Sequence, residues 1–468
     1  MKYMTIHQLL NFQSKSVSFS AMLLAASSLV SAFLGLMRNR LLGNQFGASG
    51  ETDIYFAAFR IPDFIYGIVI MGGITVAFLP LFAEYASRGK EEAWEFVNNL
   101  LHVLLVVLGA FCVLLAIFAP LLMGLVAPGF GPEQKASAIT LTRLLFLSPV
   151  LFGISSVLSG VLQYHNRFIV YALAPILYNL GIIAGIVFLA PSMGVLGVGV
   201  GVIGGAGLHL LIQLPSFFAS GFIWKFAFRP KDPSIAKVLR LALPRIPGAM
   251  GYQLNVIVMT ALASMLSAGS ITVFAFANDL QSFPINLIGV PFAIALFPAL
   301  SRAFAEKKEA DMKAAFASAL RYVILLVLPI AGLMFLFRAA VVQLSYGVGN
   351  FDVEDTSLTA ALFGVFALGV VFQALIPLLA RAFFAMQDTK TPTVIGLSSV
   401  ALNIFFAVSL IMILQTSGLP AWLSSFLGLS HGSDARVLAF PFALFLSGLF
   451  QCSMLGLFLK KKFDALHA

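Results

Sequence analysis

Apolar runs of 20 residues and more follow one another along this chain, and they set the problem its fold has to solve. A run of that length crosses the roughly 30 Å hydrocarbon layer of a bilayer as a helix. Lipid offers a backbone no hydrogen bonds, so only helices and closed barrels can cross it. Barrel strands alternate polar and apolar side chains with period two. These runs do not alternate, so helices are expected. Composition agrees: 60% of the residues are hydrophobic and 10% are charged, against roughly a quarter charged in ordinary soluble domains. This balance argues against a soluble enzyme.

The runs and their punctuation predict about twelve membrane helices, at 17–42, 53–86, 93–126, 136–163, 168–190, 193–222, 234–266, 270–304, 310–344, 356–386, 390–415 and 436–460. Lys2 and Lys15 precede the first run, and no small-residue cleavage site follows it, so a retained helix is expected rather than a signal peptide. The formal charge of +9 would suggest nucleic acid in a soluble chain. Here its distribution gives the better reading. One set of alternate loops carries the basic residues: Arg88 and Lys90, Arg167, the stretch Lys225–Lys237, Arg302 to Lys313, Lys390, and Lys460 to Lys462. The other set holds little beyond Lys135 and Arg436, and carries Glu51, Glu133, Asp352, Glu354, Asp355 and Asp434. Basic loops stay in the cytoplasm, so both termini are expected there. That requires an even number of spans.

The chain also repeats itself. TDIYFAAFRIPDF and AFLPLFAEYASRGKEEA, between Thr52 and Ala93, echo ITVFAFANDLQSF and ALFPALSRAFAEKKEA, between Ile271 and Ala310. LQYHNRF, followed by Asn179, echoes FFAMQDTKTP, followed by Asn403. A near-constant offset argues for two parallel six-helix lobes, an N-lobe at 1–224 and a C-lobe at 239–468, joined by a basic cytoplasmic linker at 225–238. Transporters use such paired repeats to rock about a central site.

Charge inside a span is costly and marks a candidate site. Arg38 and Arg40 lie near the end of the first helix, where Arg38 either faces a cavity or snorkels and Arg40 snorkels. Asp53 opens the second span, as a cap or a site residue, and Arg60 follows seven residues on along the same face. Arg245 stands in LPRIPG, Asn278 and Asp279 in the eighth span, Arg381 in the tenth. A buried Asp279 would need a partner or a proton. Guanidinium groups lining a cavity suit phosphate, which they bind bidentately. His102 and His209 are expected to be packed or hydrogen-bonded within the bundle. Cys112 and Cys452, in apolar runs, suggest neither disulfide nor metal. GVGVGVIGG at 197–205 reads as a helix-packing seam. No HExxH or Walker A motif is present, and no cofactor or metal is expected.

Several of these stretches resemble the MurJ/MviN family: GLMRNRLLGNQFGASGETDIYFAAFRIPDF at 35–64, AFLPLFAEYASRGK at 77–90, APGF at 127–130, NRF at 166–168 with Pro175 and Asn179, GSITVFAFANDLQSFP at 269–284, and QDTKTP at 387–392. The resemblance runs in order over almost the whole chain. It implies an all-α, MATE-like fold and a flippase for lipid II, the undecaprenyl-pyrophosphate-linked peptidoglycan precursor. It also implies a location in the bacterial inner membrane, alternating access, and a lateral gate between helices one and eight. Arg38 and Asp53 match the family's arginine and aspartate. The family pattern has an arginine where Ala32 stands, an Arg pair at Tyr66 and Gly67, Glu-Gly at Met71 and Gly72, and Asp-Arg at Asn278 and Asp279. Arg245 is the leading substitute for the missing cations.

The expected site is therefore Arg38, Asp53, Arg60, Arg245, Asn278 and Asp279. The expected partners are a polyprenyl-pyrophosphate-linked glycopeptide lipid, membrane lipids and a coupling ion. The rival readings are a flippase for another polyprenyl-linked glycan, a MATE-type cation or drug antiporter resting on Asp279, and a non-transporting cell-wall scaffold.

Overall fold

The computed structural model describes residues 12–13, 16–243, 246–430 and 432–465, and no strand occurs among them. The chain divides into two compact units. One ends at Phe46, resumes at Gly50 and runs to Leu254; the other comprises Gly47–Ser49 and the chain from Asn255 onward.

The first unit contains α1 (Val17–Phe46), α2 (Gly50–Ile65), a π-helical stretch Tyr66–Ile74, α3 (Thr75–Arg88), α4 (Lys90–Ile117), α5 (Ala119–Val126), α6 (Pro132–Leu145), α7 (Leu147–Tyr164) and α8 (Phe168–Ala184). A second π stretch, Gly185–Leu189, leads to the single turn α9 (Ala190–Met193), then α10 (Val195–Leu211), α11 (Leu214–Phe218) and α12 (Pro233–Ala242). The unit boundary falls within α13 (Ile246–Ser264). The second unit continues with α14 (Ser270–Pro284), π stretch Ile285–Gly289, α15 (Val290–Ala305), α16 (Glu309–Leu336) and α17 (Arg338–Tyr346). It closes with α18 (Val353–Ala385), α19 (Lys390–Ser417), α20 (Ala421–Leu427) and α21 (Ala439–Ala465).

Among the described residues, ten helical stretches are long and apolar enough to cross a bilayer. The expected spans at 53–86 and 234–266 are not among the ten. The first is helical throughout, from Gly50 to Arg88, with the π stretch inside it, and its residues 65–82 carry no charge. The second is described as α12 and α13, and residues 244–245 between them lie outside the described residues. Asp232 accepts the Ser234 N–H at 2.8 Å and, with Pro233 behind it, starts α12. Ile235, Val238 and Ala242 bury one face of this short helix, while Leu239 and Arg240 remain exposed, so α12 is amphipathic.

The repeat is visible in backbone detail. The spans expected at 93–126 and 310–344 each end in a separate short helix, after breaks at Phe118 and Phe337. A π stretch interrupts both Gly50–Arg88 and Ser270–Ala305. Asn166 and Gln387, at equivalent loops, both take positive φ, 57° and 60°, a region non-glycine residues seldom enter. Each loop is then tied to a later helix end, by opposite chemistry. Arg167 donates to the carbonyls of Ser216 (2.5 Å) and Ala219 (3.0 Å), at the end of α11. Asp388 pairs with Lys462 on α21 at 2.5 Å and accepts from the Thr391 N–H (3.0 Å) and hydroxyl (2.7 Å).

Packing in lipid depends on close approach rather than on expulsion of water. The glycine run at 197–205 provides this. A Cβ on Gly201 would lie 2.6 Å from the Gly185 Cα, and one on Gly181 would lie 2.3 Å from the Gly205 Cα. Helices α8 and α10 thus touch backbone to backbone, as expected of that run. Outside the seam, an aromatic core fills the first unit: Phe78 stacks on Phe82 and Phe96, with centroids 5.5 and 5.8 Å away. Leu105, Val107, Phe111 and Val113 on α4 stay exposed, as residues facing lipid do. Both cysteines are free thiols.

Candidate membrane-embedded site

The first unit holds three of the six expected site residues, Arg38, Asp53 and Arg60. Arg38 is half-buried near the end of α1, and its side chain turns into the unit. Its Nε donates to Asn39 Oδ1 at 3.0 Å, and its Nη1 lies 3.5 Å from Asn179 Oδ1 on α8. Asn179 is itself fixed, donating to Ser31 Oγ and to the Pro175 carbonyl at 3.1 Å each. The carbonyl of Pro175 is four residues back, where an Asn side chain can reach it along the helix. Arg38 is therefore held by α8 rather than reaching for headgroups.

Asp53 is buried in the first turn of α2, 3% exposed, so it stands inside the helix rather than at its cap. Its carboxylate and that of Glu51 complement the helix dipole there. Arg60 is half-buried two turns on. Three residues further lies Asp63, on the same face and within electrostatic reach of both Arg60 and Arg38. Tyr178 and Tyr66 share that field. Asp63 was not among the expected site residues. Its signal was the i, i+3 spacing from Arg60 within FRIPDF, which reads as part of a motif rather than as a charge pair.

The backbone of Asp63 is also engaged. Gln253, on α13, lies with its Nε2 3.5 Å from the Asp63 carbonyl. It occupies the space over Gly67, where a Cβ would meet Gln253 Nε2 at 2.3 Å. The π stretch begins at Tyr66, beside this contact. Such bulges accumulate at functional sites. Tyr66 itself packs on Phe152, ring centroids 5.2 Å apart.

In the second unit, Asn278 is half-buried and accepts from Gln281 Nε2 at 2.9 Å, while Asp279 is exposed. Gln281 is buried, and its Oε1 has no hydrogen-bond partner among the described residues. Arg381 lies over the Phe297 ring at 5.4 Å, a cation–π contact. Arg245 falls outside the described residues. The two histidines are bonded within the bundle: His102 Nδ1 lies 2.6 Å from the Asn98 carbonyl, and His209 Nδ1 lies 2.7 Å from Ser155 Oγ.

The second unit also shows why Gly47 and Gly269 are glycines. Gly47 has φ 67° and Gly269 φ 90°; a Cβ would meet the Asn350 carbonyl at 2.5 Å and the Ala48 carbonyl at 2.1 Å, respectively. The Ala48 N–H is left to donate to Asp355 at 2.9 Å.

The family model described as "Lipid II flippase MurJ" matches residues 42–466. The chain belongs to the MurJ family. It is 31% identical over 379 residues to the lipid II flippase MurJ of Burkholderia cenocepacia, covering 79% of this chain and 73% of that one. It is 30% identical over 407 residues to the probable lipid II flippase MurJ of Buchnera aphidicola, covering 85% and 79%. Its fold matches a solved MurJ in an inward closed conformation, with a TM-score of 0.76 at 23% identity over 95% of this chain and 90% of that one. It also matches an inward-facing multidrug MATE transporter, with a TM-score of 0.72 at 16% identity over 93% and 95%.

Within the MurJ family, two of this chain's departures acquire a structural account. The positions where the family pattern carries an Arg pair hold Tyr66, packed on Phe152, and Gly67, covered by Gln253. Neither place is an open cationic surface in this protein.

Proposed function

We propose that this inner-membrane protein flips lipid II by alternating access, with Arg38 and Arg60 as the cationic part of its first-unit site. The observation that carries the reading is the coincidence of the family match over 42–466 with an intramembrane arginine oriented by Asn179. An arginine whose direction is fixed loses less freedom on binding a phosphate and presents a planar donor set to it. Asp63 offsets part of the charge of Arg38 and Arg60. A dianionic pyrophosphate would then replace a carboxylate as their partner. Asp53 would hold the opening of α2, and Asn278 would bind through its amide.

The same proposal includes twelve spans, with both termini in the cytoplasm, and the two lobes joined through the basic stretch 225–238. The loop charges support that orientation, since basic residues resist translocation. A coupling ion or the membrane potential would drive the cycle; a charge moving through 100 mV gains about 2.3 kcal/mol. A cation or drug antiporter would call for a buried carboxylate in the second unit, and Asp279 is exposed.

The test is exposure of lipid II at the outer face of cells depleted of their own flippase. Expression of this protein should restore exposure, and Arg38→Glu should abolish it. Normal membrane insertion without restored exposure refutes the reading.

A further inference from the structure

A crevice of about 550 Å³ opens in the first unit, away from Arg38, between the amino-terminal turns of α4 and the irregular segment 222–231. Its construction is specific. Asn98 and Asn99 are buried and use their amides as a backbone would. Asn98 donates to the Ile223 carbonyl at 2.9 Å and accepts the Lys225 N–H at 3.0 Å. Asn99 donates to the Arg229 carbonyl at 3.1 Å and accepts the Arg229 N–H at 2.7 Å. Arg229 also pairs with Glu95. The segment is thus strapped to α4 at both ends, and the crevice is a built feature of the unit.

Its depth follows from the length of α4. Twenty-eight residues make a helix of roughly 42 Å, at 1.5 Å per residue, against a hydrocarbon layer of roughly 30 Å. The surplus is about eight residues. Glu91, Glu92 and Glu95 put it at the amino end, so Asn98 and Asn99 stand at the hydrocarbon border. The strap's apolar side chains agree. Trp224 is 57% exposed and Phe226 is 81% exposed, at the level where tryptophan and other amphipathic rings collect.

The lining fixes the chemistry. Two carboxylates, Glu91 and Glu95, face two cations, Lys225 and Arg229, between the aromatic walls of Trp94 and Phe226. A purely anionic headgroup would meet both carboxylates. A headgroup with a phosphate and an ammonium matches both signs, and a primary ammonium can donate hydrogen bonds to Glu91 where a quaternary one cannot.

We infer that this crevice binds the zwitterionic headgroup of an aminophospholipid of the ethanolamine type, its phosphate toward Lys225 and its ammonium toward Glu91, with its acyl chains along Trp224 and Phe226. The binding is separate from transport and does not depend on the cargo assigned above.

The test is lipid retention in native mass spectrometry of the purified full chain, offered equal amounts of phosphatidylethanolamine, phosphatidylcholine and phosphatidylglycerol. Phosphatidylethanolamine should be retained about three- to tenfold over the other two, the range of one charge-assisted hydrogen bond at a partly exposed site. Glu91→Lys leaves three cations facing one carboxylate and should reverse the preference toward phosphatidylglycerol. Because that variant gains a ligand, misfolding cannot imitate the result. Lys225→Glu should lower retention of both phosphatidylethanolamine and phosphatidylglycerol. Equal retention of the three lipids by the unmodified chain, or an unchanged preference in Glu91→Lys, overturns the assignment.

Discussion

Asp388 gives the prediction whose size can be worked furthest. It lies in the loop between α18 and α19, outside the spans, with its side chain 13% exposed. Burial alone would raise its pKa, but the hydrogen bonds from Lys462 and Thr391 outweigh this and hold the carboxyl at about 2 instead of its ordinary 3.8. A depression of that size corresponds to about 2.4 kcal/mol of folded-state preference for the carboxylate. Lys462 is 40% exposed, so solvent screening reduces the figure to about 1–2 kcal/mol. The sign follows from the depressed value: the contribution is fully present above about pH 4 and is lost as pH falls from there toward about 2. Asp388→Asn keeps an acceptor for the Thr391 N–H but loses the ion pair. It should lower the detergent-solubilised melting temperature by about 1–3 °C at pH 7 and leave that difference smaller at pH 3. Asp388→Ala, which also loses the Thr391 contacts, should cost more at both pH values. A difference between Asp388→Asn and the unmodified chain that is the same at pH 7 and pH 3 would refute the reasoning.

Other outcomes follow from the same geometry. Gly201→Leu should destabilise by about 1–3 kcal/mol or more by forcing α8 and α10 apart. Gly204→Leu, on the same helix with no atom near its Cβ, should be tolerated; thermal melts of the two compare them directly. Asn99→Ala should speed amide exchange of the Arg229 N–H and its neighbours, read by hydrogen exchange, without changing exchange in α18. Asn179→Leu should leave Arg38 in place but unoriented, weakening lipid II binding about tenfold, the value of one hydrogen bond to a charged group. Full affinity in that variant would mean that Asn179 does not position Arg38.

The fold was legible because its determinants are local. Twenty apolar residues without period-two alternation have one backbone solution in lipid, and the repeat shows in AFLPLF and ALFPAL because both halves reuse the same loops and breaks. The glycine seam was legible too, since glycine spaced by four in an apolar run has few other uses. What escaped was set by tertiary contact. Nothing in the sequence distance between Asp63 and Gln253 announces that they meet. Asn98 and Asn99 read as two polar residues in an apolar helix until the strap at 222–231 is seen to use them as its hydrogen-bond partners. In the run at 234–266 the apolar count hides the amphipathic character of α12. Arg38 could be weighed but not placed, since an arginine near a helix end either snorkels or turns inward, and here the Asn179 amide decides.

The central claim is transport of lipid II through a site containing Arg38. It is tested most directly by reconstituting the purified protein in proteoliposomes and following a fluorescent lipid II across the bilayer. Transbilayer movement should exceed that of protein-free vesicles and collapse in the double variant Arg38→Gln, Arg60→Gln. Movement at the unmodified rate in that variant, with the protein folded and inserted, would contradict the account.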